Sequence, residues 1–392
     1  MNARTPGGAQ TISKSKAVLP AAFPDCVDSG RGASLFTPEG RSYTDWICGL
    51  GAVGLGYQFP AIDREAIAQI HRGVSFSIPT ALEDEVAEAL CGLYPAAEAV
   101  RFVKTGSEAC AAAGRIARTA VGRDRIAVCG YHGWHDWYVA SRPRHPGVPE
   151  PLCDLVRTFT YNDLTSLALV LDDSVAAVMM EATLHDPPEA GFLEDVQRMT
   201  RKTGALFILD ETVTGFRCHR GGASARYGLS PDLTVLGKAL GNGWPIAAVL
   251  GRWDTMREGA LPISGTFGGE AVSLAAAKRV IAVYKELDVC GYIESIGRLV
   301  LDELRLALPG EYVVDGLPWK PRIRHPDPAT HYRFIQNMAI WRHLIHPLGM
   351  FVSFSHTAAH AEDLVEAAKR AIRPDAPALL GEVPSPPFKL RT

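Results

Sequence analysis

The order of apolar and polar positions divides the chain into regions of different period. Ser34–Trp46 (S-L-F-T-P-E-G-R-S-Y-T-D-W) reads as a β-hairpin turning at Pro38–Gly40. Helical spacing follows from near Pro60 to Gly73 and again over Leu82–Leu93. From Val100 onward, short apolar runs alternate with helical stretches. Strands are predicted at Val100–Val103, Arg125–Cys129, Val175–Glu181, Ala205–Asp210, Leu233–Leu236 and Ile246–Leu250, with helices at Glu108–Ala120 and Val196–Thr203. Strands that lie between helices and are apolar on both faces predict an α/β domain around a mostly parallel sheet. Ligands of such sheets bind at the carboxyl ends of the strands. Ala271–Leu287 reads as a long helix leading out of this domain. The remainder, including Phe351–Ser355 and a helix over Ala361–Ile372, suits a smaller α+β domain. Residues 1–20 lack apolar pattern and by composition read as a disordered arm. The tail from Pro374 carries five prolines and reads as loose.

Composition narrows the function classes. The chain has 392 residues, 47% of them hydrophobic and 21% charged, which is ordinary for a globular protein of one large core and a smaller domain. The net charge of −3 offers no footprint for nucleic acid or an anionic membrane. No apolar run approaches the roughly 18 residues of a transmembrane helix, and the opening sixteen residues lack the apolar core of a signal peptide. The eight cysteines form no C-x-x-C pair, so they read as reduced thiols of a cytoplasmic protein.

Candidate chemistry centres on Lys238. It follows the apolar run Leu233–Leu236 directly and is flanked by Gly237, Gly241 and Gly243. Desolvation there would lower the ammonium pKa and free the amine to attack an aldehyde. Asp210 ends the apolar run Ala205–Asp210, 28 residues upstream. An Asp at one strand end and a Lys near another are the pieces that hold pyridoxal phosphate: a pyridinium partner and a Schiff-base amine. Thr105–Glu108 (T-G-S-E) lies between a strand and a helix, where Gly106 and Ser107 could bind phosphate or Thr105 could simply cap the helix. Gly130–Tyr138 (G-Y-H-G-W-H-D-W-Y) suits a stacking platform for a flat ligand. The H-x-x-H spacing of His132 and His135 does not set both rings on one helical face, so no metal is expected. Glu181 ends another buried strand, as a core ion-pair member or facing a ligand. Ser264–Gly269 (S-G-T-F-G-G) precedes a helix and offers Thr266 as a second phosphate contact. Gly49–Gly54 (G-L-G-A-V-G) matches G-x-G-x-x-G, but Gly56 and Pro60 follow at once, so the helix of a dinucleotide site is missing.

The motifs R-F-V-K-T-G-S-E-A, G-Y-H-G-W-H-D-W-Y, F-I-L-D-E-T-V-T-G-F-R, P-D-L-T-V-L-G-K-A-L-G-N-G-W-P-I-A-A-V and S-G-T-F-G-G occur in that order. Together they resemble the class III aminotransferases, closest to the branch with glutamate-1-semialdehyde aminomutase and with aminotransferases of sugars and cyclitols. The resemblance runs from about Pro6 to the last helix. It implies the type I pyridoxal-phosphate fold, with a seven-stranded, mostly parallel sheet. The implied organisation is an N-terminal segment of the small domain at 1–48 covering the active site, a large cofactor-binding domain at 49–285, a C-terminal small domain at 286–373 and a Pro-rich tail at 374–392. The implied assembly is a homodimer with shared active sites.

By that resemblance Lys238 carries the Schiff base and Asp210 pairs with the pyridinium. Gly106 and Ser107 bind phosphate. Tyr131, with His132 beside it, stacks on one ring face, and Val213, where many relatives have glutamine, presses on the other. Thr266 reaches the phosphate of the partner's cofactor. Lys14, Glu181 and Tyr138 fall at the substrate. Lys14 stands where the aminomutases use a carboxylate-clamping arginine, and a lysine cannot make that bidentate contact. The region after Tyr138 is also shorter than the aminomutase gating loop. Both departures favour transfer between two substrates, from a donor such as glutamate to a carbonyl on a sugar, aminocyclitol or related molecule. Intramolecular transfer is the nearest rival. A cofactor-fold regulator would need an added DNA-binding domain, and a nicotinamide oxidoreductase rests on the Gly49–Gly54 match alone.

Overall fold

The alternating runs between residues 99 and 251 build one seven-stranded sheet in the computed structural model, which describes residues 4–143 and 145–384. Its strands are β1 (Ala99–Val103), β2 (Arg125–Cys129), β3 (Val156–Thr158), β4 (Val175–Glu181), β5 (Leu206–Asp210), β6 (Leu233–Leu236) and β7 (Ala247–Gly251). Their order is β1-β7-β6-β5-β4-β2-β3. Only β7 runs against its neighbours, pairing antiparallel with both β1 and β6. The remaining strands share one direction, so their carboxyl ends gather at a single edge. Edge strand β3 has three residues, too short to show a period, and the sequence pattern does not reveal it.

Helix α1 (Gly106–Val121) packs on one face of this sheet. Its Ala109, Cys110, Ala113, Ile116 and Ala117 are buried against Ala177, Met179, Ile208, Leu233, Val235 and Val249. Four small side chains in that stripe let the helix lie close to the strands. Strand alternation puts Ile208 on the α1 face, and Asp210, two residues on, shares that face.

The chain divides into two compact units, one of Pro60–Cys290 and one combining Met1–Phe59 with Gly291–Thr392. The second of these carries the predicted hairpin, with Ser34–Phe36 antiparallel to Ser42–Asp45. It also holds a hairpin of Val313–Leu317 with Lys320–Arg324 and a helix over Pro328–Ile340. Phe351–Ser355 adds no strand there. Its backbone is stitched to Trp46, Trp319 and Gly54 by single hydrogen bonds.

The first twenty residues differ from the disordered arm that composition suggests. Residues 1–3 lie outside the described residues, but Pro6–Gly8 and Ile12–Lys14 form single 3-10 turns. Val18 is fully buried, His346 Nε2 donates to the Ser13 carbonyl, and Lys16 Nζ donates to the carbonyls of Ala21 and Phe23. One apolar side chain and three polar contacts fix a segment that has no apolar period to read. The tail is similar up to its midpoint. Gln336 and Asn337, both buried, bond the backbone of Pro377, Ala378 and Leu380, while residues 385–392 lie outside the described residues.

No described helix is long and apolar enough to cross a membrane. Among the described residues, which include all eight cysteines, there is no disulfide.

Candidate active site

The strand register brings the candidate residues to one edge. Asp210 sits opposite Glu181 on one side and Val235 on the other, and Lys238 begins the turn just past β6. Gly130 follows β2, and Thr105–Ser107 follow β1. Five segments far apart in sequence thus lie at the carboxyl ends of β1, β2, β4, β5 and β6, along one edge of the sheet.

Asp210 is buried at the end of β5 and takes three hydrogen bonds. His132 Nδ1 lies 2.7 Å from Oδ2, Cys110 Sγ donates to Oδ2 at 3.3 Å, and the Thr212 N–H donates to Oδ1 at 3.0 Å. His132 Nε2 faces the Cys129 carbonyl at 3.2 Å. Both ring nitrogens therefore face acceptor oxygens. Burial alone would raise the Asp210 carboxyl. The bond and charge of His132, with the bond from the Thr212 N–H, instead hold it below the usual carboxylate range.

The loop that supplies His132 is fixed from both sides. Glu181 Oε1 accepts the Tyr131 N–H at 2.9 Å, so this buried carboxylate holds the loop's backbone. Tyr138 donates its hydroxyl proton to the Gly130 carbonyl at 2.6 Å and accepts from Arg142. Tyr138 also sets its ring edge-on to Tyr131 and His132, with centroids 5.6 and 5.4 Å apart. Tyr131 is 38% exposed, the most open ring of the three. Gly133 has φ +106°, and a Cβ there would come within 2.4 Å of Ser107 Oγ. This glycine lets the aromatic loop lie across the first turn of α1.

That first turn is a candidate anion site. Its N–H groups have no intrahelical acceptors. Thr105 Oγ1 accepts from the Glu108 N–H, and Glu108 Oε2 accepts from Lys104 and Thr105. This capping box leaves the N–H groups of Gly106 and Ser107 for an outside acceptor. A Cβ on Gly106 would come within 2.8 Å of Thr212 Cγ2, and the buried Thr212 Oγ1 has no hydrogen-bond partner among the described residues. An approach open only to glycine, an orphaned hydroxyl, a helix N-terminus and a charged carboxylate fit a flat, phosphorylated, nitrogen-containing ring.

Lys238 is half-buried, with φ +46°, in the left-handed region that side chains rarely adopt. Val213 is buried in the turn after β5. Thr266 is exposed on the loop before helix α2 (Ala271–Glu286). Glu270 caps α2 and pairs with Lys104 at 3.0 Å, which ties this loop to the residue before Thr105. Lys14 belongs to the unit formed by the two ends of the chain. Cys110 lies outside the motifs, and Thr212, inside F-I-L-D-E-T-V-T-G-F-R, was not singled out in the sequence. Cys110 reads in sequence only as one small residue in an alanine-rich helix, and its contact with Asp210 appears through the fold.

The chain is similar to known proteins along most of its length. The family model for class III aminotransferases matches residues 17–316. A 3-aminobutyryl-CoA aminotransferase from Cloacimonas acidaminovorans is 31% identical over 389 residues, covering 94% of this chain and 93% of that protein. A glutamate-1-semialdehyde 2,1-aminomutase from Methanothrix thermoacetophila is 36% identical over 334 residues, covering 80% and 77%. Among solved structures, the PLP internal aldimine form of the FumI protein of Sphingopyxis sp. MTA144 superposes with a TM-score of 0.89 at 29% identity, covering 94% of this chain and 92% of that one.

Proposed function

The chain belongs to the class III aminotransferases, enzymes that work with pyridoxal phosphate, and from that premise we propose a transfer between two separate substrates. The amino group comes from a donor such as glutamate and passes to an aldehyde or ketone on a sugar, an aminocyclitol or a similarly polar molecule. The carrying observation is the meeting of Asp210, His132 and the first turn of α1 at the strand edge that Lys238 also joins.

The residues fit the cofactor. Gly106 and Ser107 hold its phosphate through backbone N–H groups, Tyr131 and Val213 bracket its ring, and Asp210, charged and backed by His132, holds a proton on the ring nitrogen. When bound, the cofactor supplies an aldehyde that takes up amines and a ring that accepts electron density. Lys238 anchors it through Nζ, and Nζ takes and returns the substrate proton. The buried Asp210–His132 pair keeps water from competing for the ring proton. Glu181 and Tyr138 shape the substrate side by fixing the Tyr131 loop, and Lys14 supplies a positive charge for a substrate carboxylate.

Two copies sharing their active sites complete the reading. Thr266 is exposed and serves a neighbour's phosphate. Ile67, Ile70, Val74, Phe76 and Ile78 are exposed apolar side chains within twelve residues, a density that suits burial against a second copy. That none of the eight described cysteines is in a disulfide supports a reducing, cytoplasmic setting.

The aminomutase relative favours a second reading, transfer within one substrate. Lys14 weighs against it, because a point charge holds a carboxylate less firmly than a forked guanidinium. A half-reaction screen separates the readings. The yellow loaded protein is mixed with single amines, and loss of its visible band is followed. Glutamate and amino sugars or aminocyclitols are expected to convert it. Rapid isomerisation of glutamate-1-semialdehyde without an external donor would overturn the two-substrate reading. Conversion by 3-aminobutyryl-CoA but by no sugar amine would overturn the acceptor class.

A further inference from the structure

We propose that Cys110 is a positioning residue for the Asp210 carboxylate, its thiol donating the third hydrogen bond that fixes the carboxylate plane beside His132. This rests on the assignment of Asp210 above. Cys110 lies in the first turns of α1, on the stripe that packs against the sheet, with Ala109 and Ala113 beside it. Asp210 shares that face of β5, so helix and strand direct the two side chains at each other. Cys48 and Cys218 donate to backbone carbonyls, whereas Cys110 donates to a carboxylate.

The donor is the S–H form. Burial and the neighbouring Asp210 charge push the thiol well above its ordinary range, and a thiolate would set two negative charges together in a dry site. Among the described residues, Oδ2 then accepts from both His132 and Cys110, and Oδ1 accepts from the Thr212 N–H. An ionised carboxylate has about four acceptor positions. Three are filled, two of them on Oδ2, so rotation about the side chain's last bond breaks contacts with α1, with the aromatic loop and with the β5 turn. A thiol is a weak donor. It restrains the carboxylate while drawing off little of the charge that faces the cofactor.

The test reads the thiol and the carboxylate separately. In full-length protein, with and without cofactor, the infrared spectrum of wild type minus Cys110→Ala isolates one S–H stretching band. It is expected at the lowered frequency of a bonded thiol, and Asp210→Asn should move it towards the unbonded position. In loaded protein, Cys110→Ala should shift the pH midpoint of the visible band by about half a unit, a roughly threefold change in proton affinity for one weak bond to a charged group. Cys110→Ser should return the midpoint part of the way. A band indifferent to Asp210→Asn would overturn the proposal. So would a Cys110→Ala protein with the wild-type midpoint, whatever its melting temperature. Failure of the cofactor assignment looks different: no visible band forms with pyridoxal phosphate, while the infrared result in cofactor-free protein stands.

Discussion

His132 Nδ1 stands 2.7 Å from Asp210 Oδ2, with both side chains buried and the far ring nitrogen of His132 on the Cys129 carbonyl. His132 thus holds the Asp210 carboxylate from behind, and the proposed role leaves a remaining acceptor position for a proton of the cofactor ring. Asp210→Ala is expected to lower turnover on the order of 10²–10⁴-fold, the range for a positioned acid–base group. His132→Asn should cost less, because it leaves the carboxylate in place. Steady-state rates of the two variants at saturating cofactor check the order.

Lys238 is assigned as the amine that anchors the cofactor. Borohydride treatment of the loaded protein should fix the label on Lys238, found by peptide mapping. Lys238→Ala should abolish turnover and still retain cofactor through the α1 N-terminus and the aromatic loop. Label on any other lysine would remove the central assignment.

Most of the Pro60–Cys290 unit was legible in the sequence. Arg125–Cys129, Val175–Glu181 and Leu233–Leu236 are strands over the predicted residues, because fully apolar runs between helices have few alternatives. The placement of Asp210 and Lys238 at strand ends was legible for the same reason, as polar residues closing apolar runs. What stayed hidden was settled by tertiary contact. Strand β3 is too short to show a period. Residues 12–20 are held by Val18 and by the backbone contact of His346. Glu181 was legible as a carboxylate at a strand end, but its use on the Tyr131 N–H depends on how the following loop folds back.

Two buried histidines in the unit formed by the chain ends make its stability pH-dependent. Burial lowers His346 to about 4 and His356 to about 3, the latter stacked on Trp46 with ring centroids 4.1 Å apart. His343 and His360 face His356 as further potential positive charges. Between these values and about 6.5 the unfolded chain binds more protons than the folded one, so stability rises with pH there. It is complete above about pH 6.5 and is lost as pH falls towards 4, by on the order of 3 kcal/mol from His346 alone. Urea unfolding at pH 7.5 and pH 5 should show the loss, and His346→Gln should flatten the slope.

The proposed dimer draws on Thr266 and the exposed apolar run at Ile67–Ile78. Light scattering is expected to give a dimer, and Ile70→Asp with Phe76→Asp should yield a monomer of greatly reduced activity. A wild-type protein that is monomeric and fully active would remove the partner role of Thr266.

Asp210 and Glu211 are adjacent carboxylates with opposite duties, which the sequence D-E does not separate. Glu211 is fully buried and points into its own turn. It accepts from the N–H groups of Ala223 and Ser224, the latter at 2.9 Å, and from the hydroxyls of Ser224 and Thr214. Gly222, at φ +65°, makes room for it, since a Cβ there would sit 1.9 Å from Glu211 Oε2. Burial raises the Glu211 carboxyl, partly offset by the Ser224, Ala223 and Thr214 bonds. Glu211→Ala strands two buried N–H groups and two hydroxyls and leaves a cavity, so a cost of about 3–5 kcal/mol is expected. Glu211→Gln keeps the volume but turns an amide N–H₂ towards donors, at about 1–3 kcal/mol. The folded fraction of Glu211→Gln should bind cofactor with an unchanged visible band, whereas the folded fraction of Asp210→Asn should show a changed band. Calorimetry and absorption on the same two proteins decide it. A Glu211→Gln protein that melts normally but shows an altered band would place Glu211 at the cofactor and reverse the two assignments.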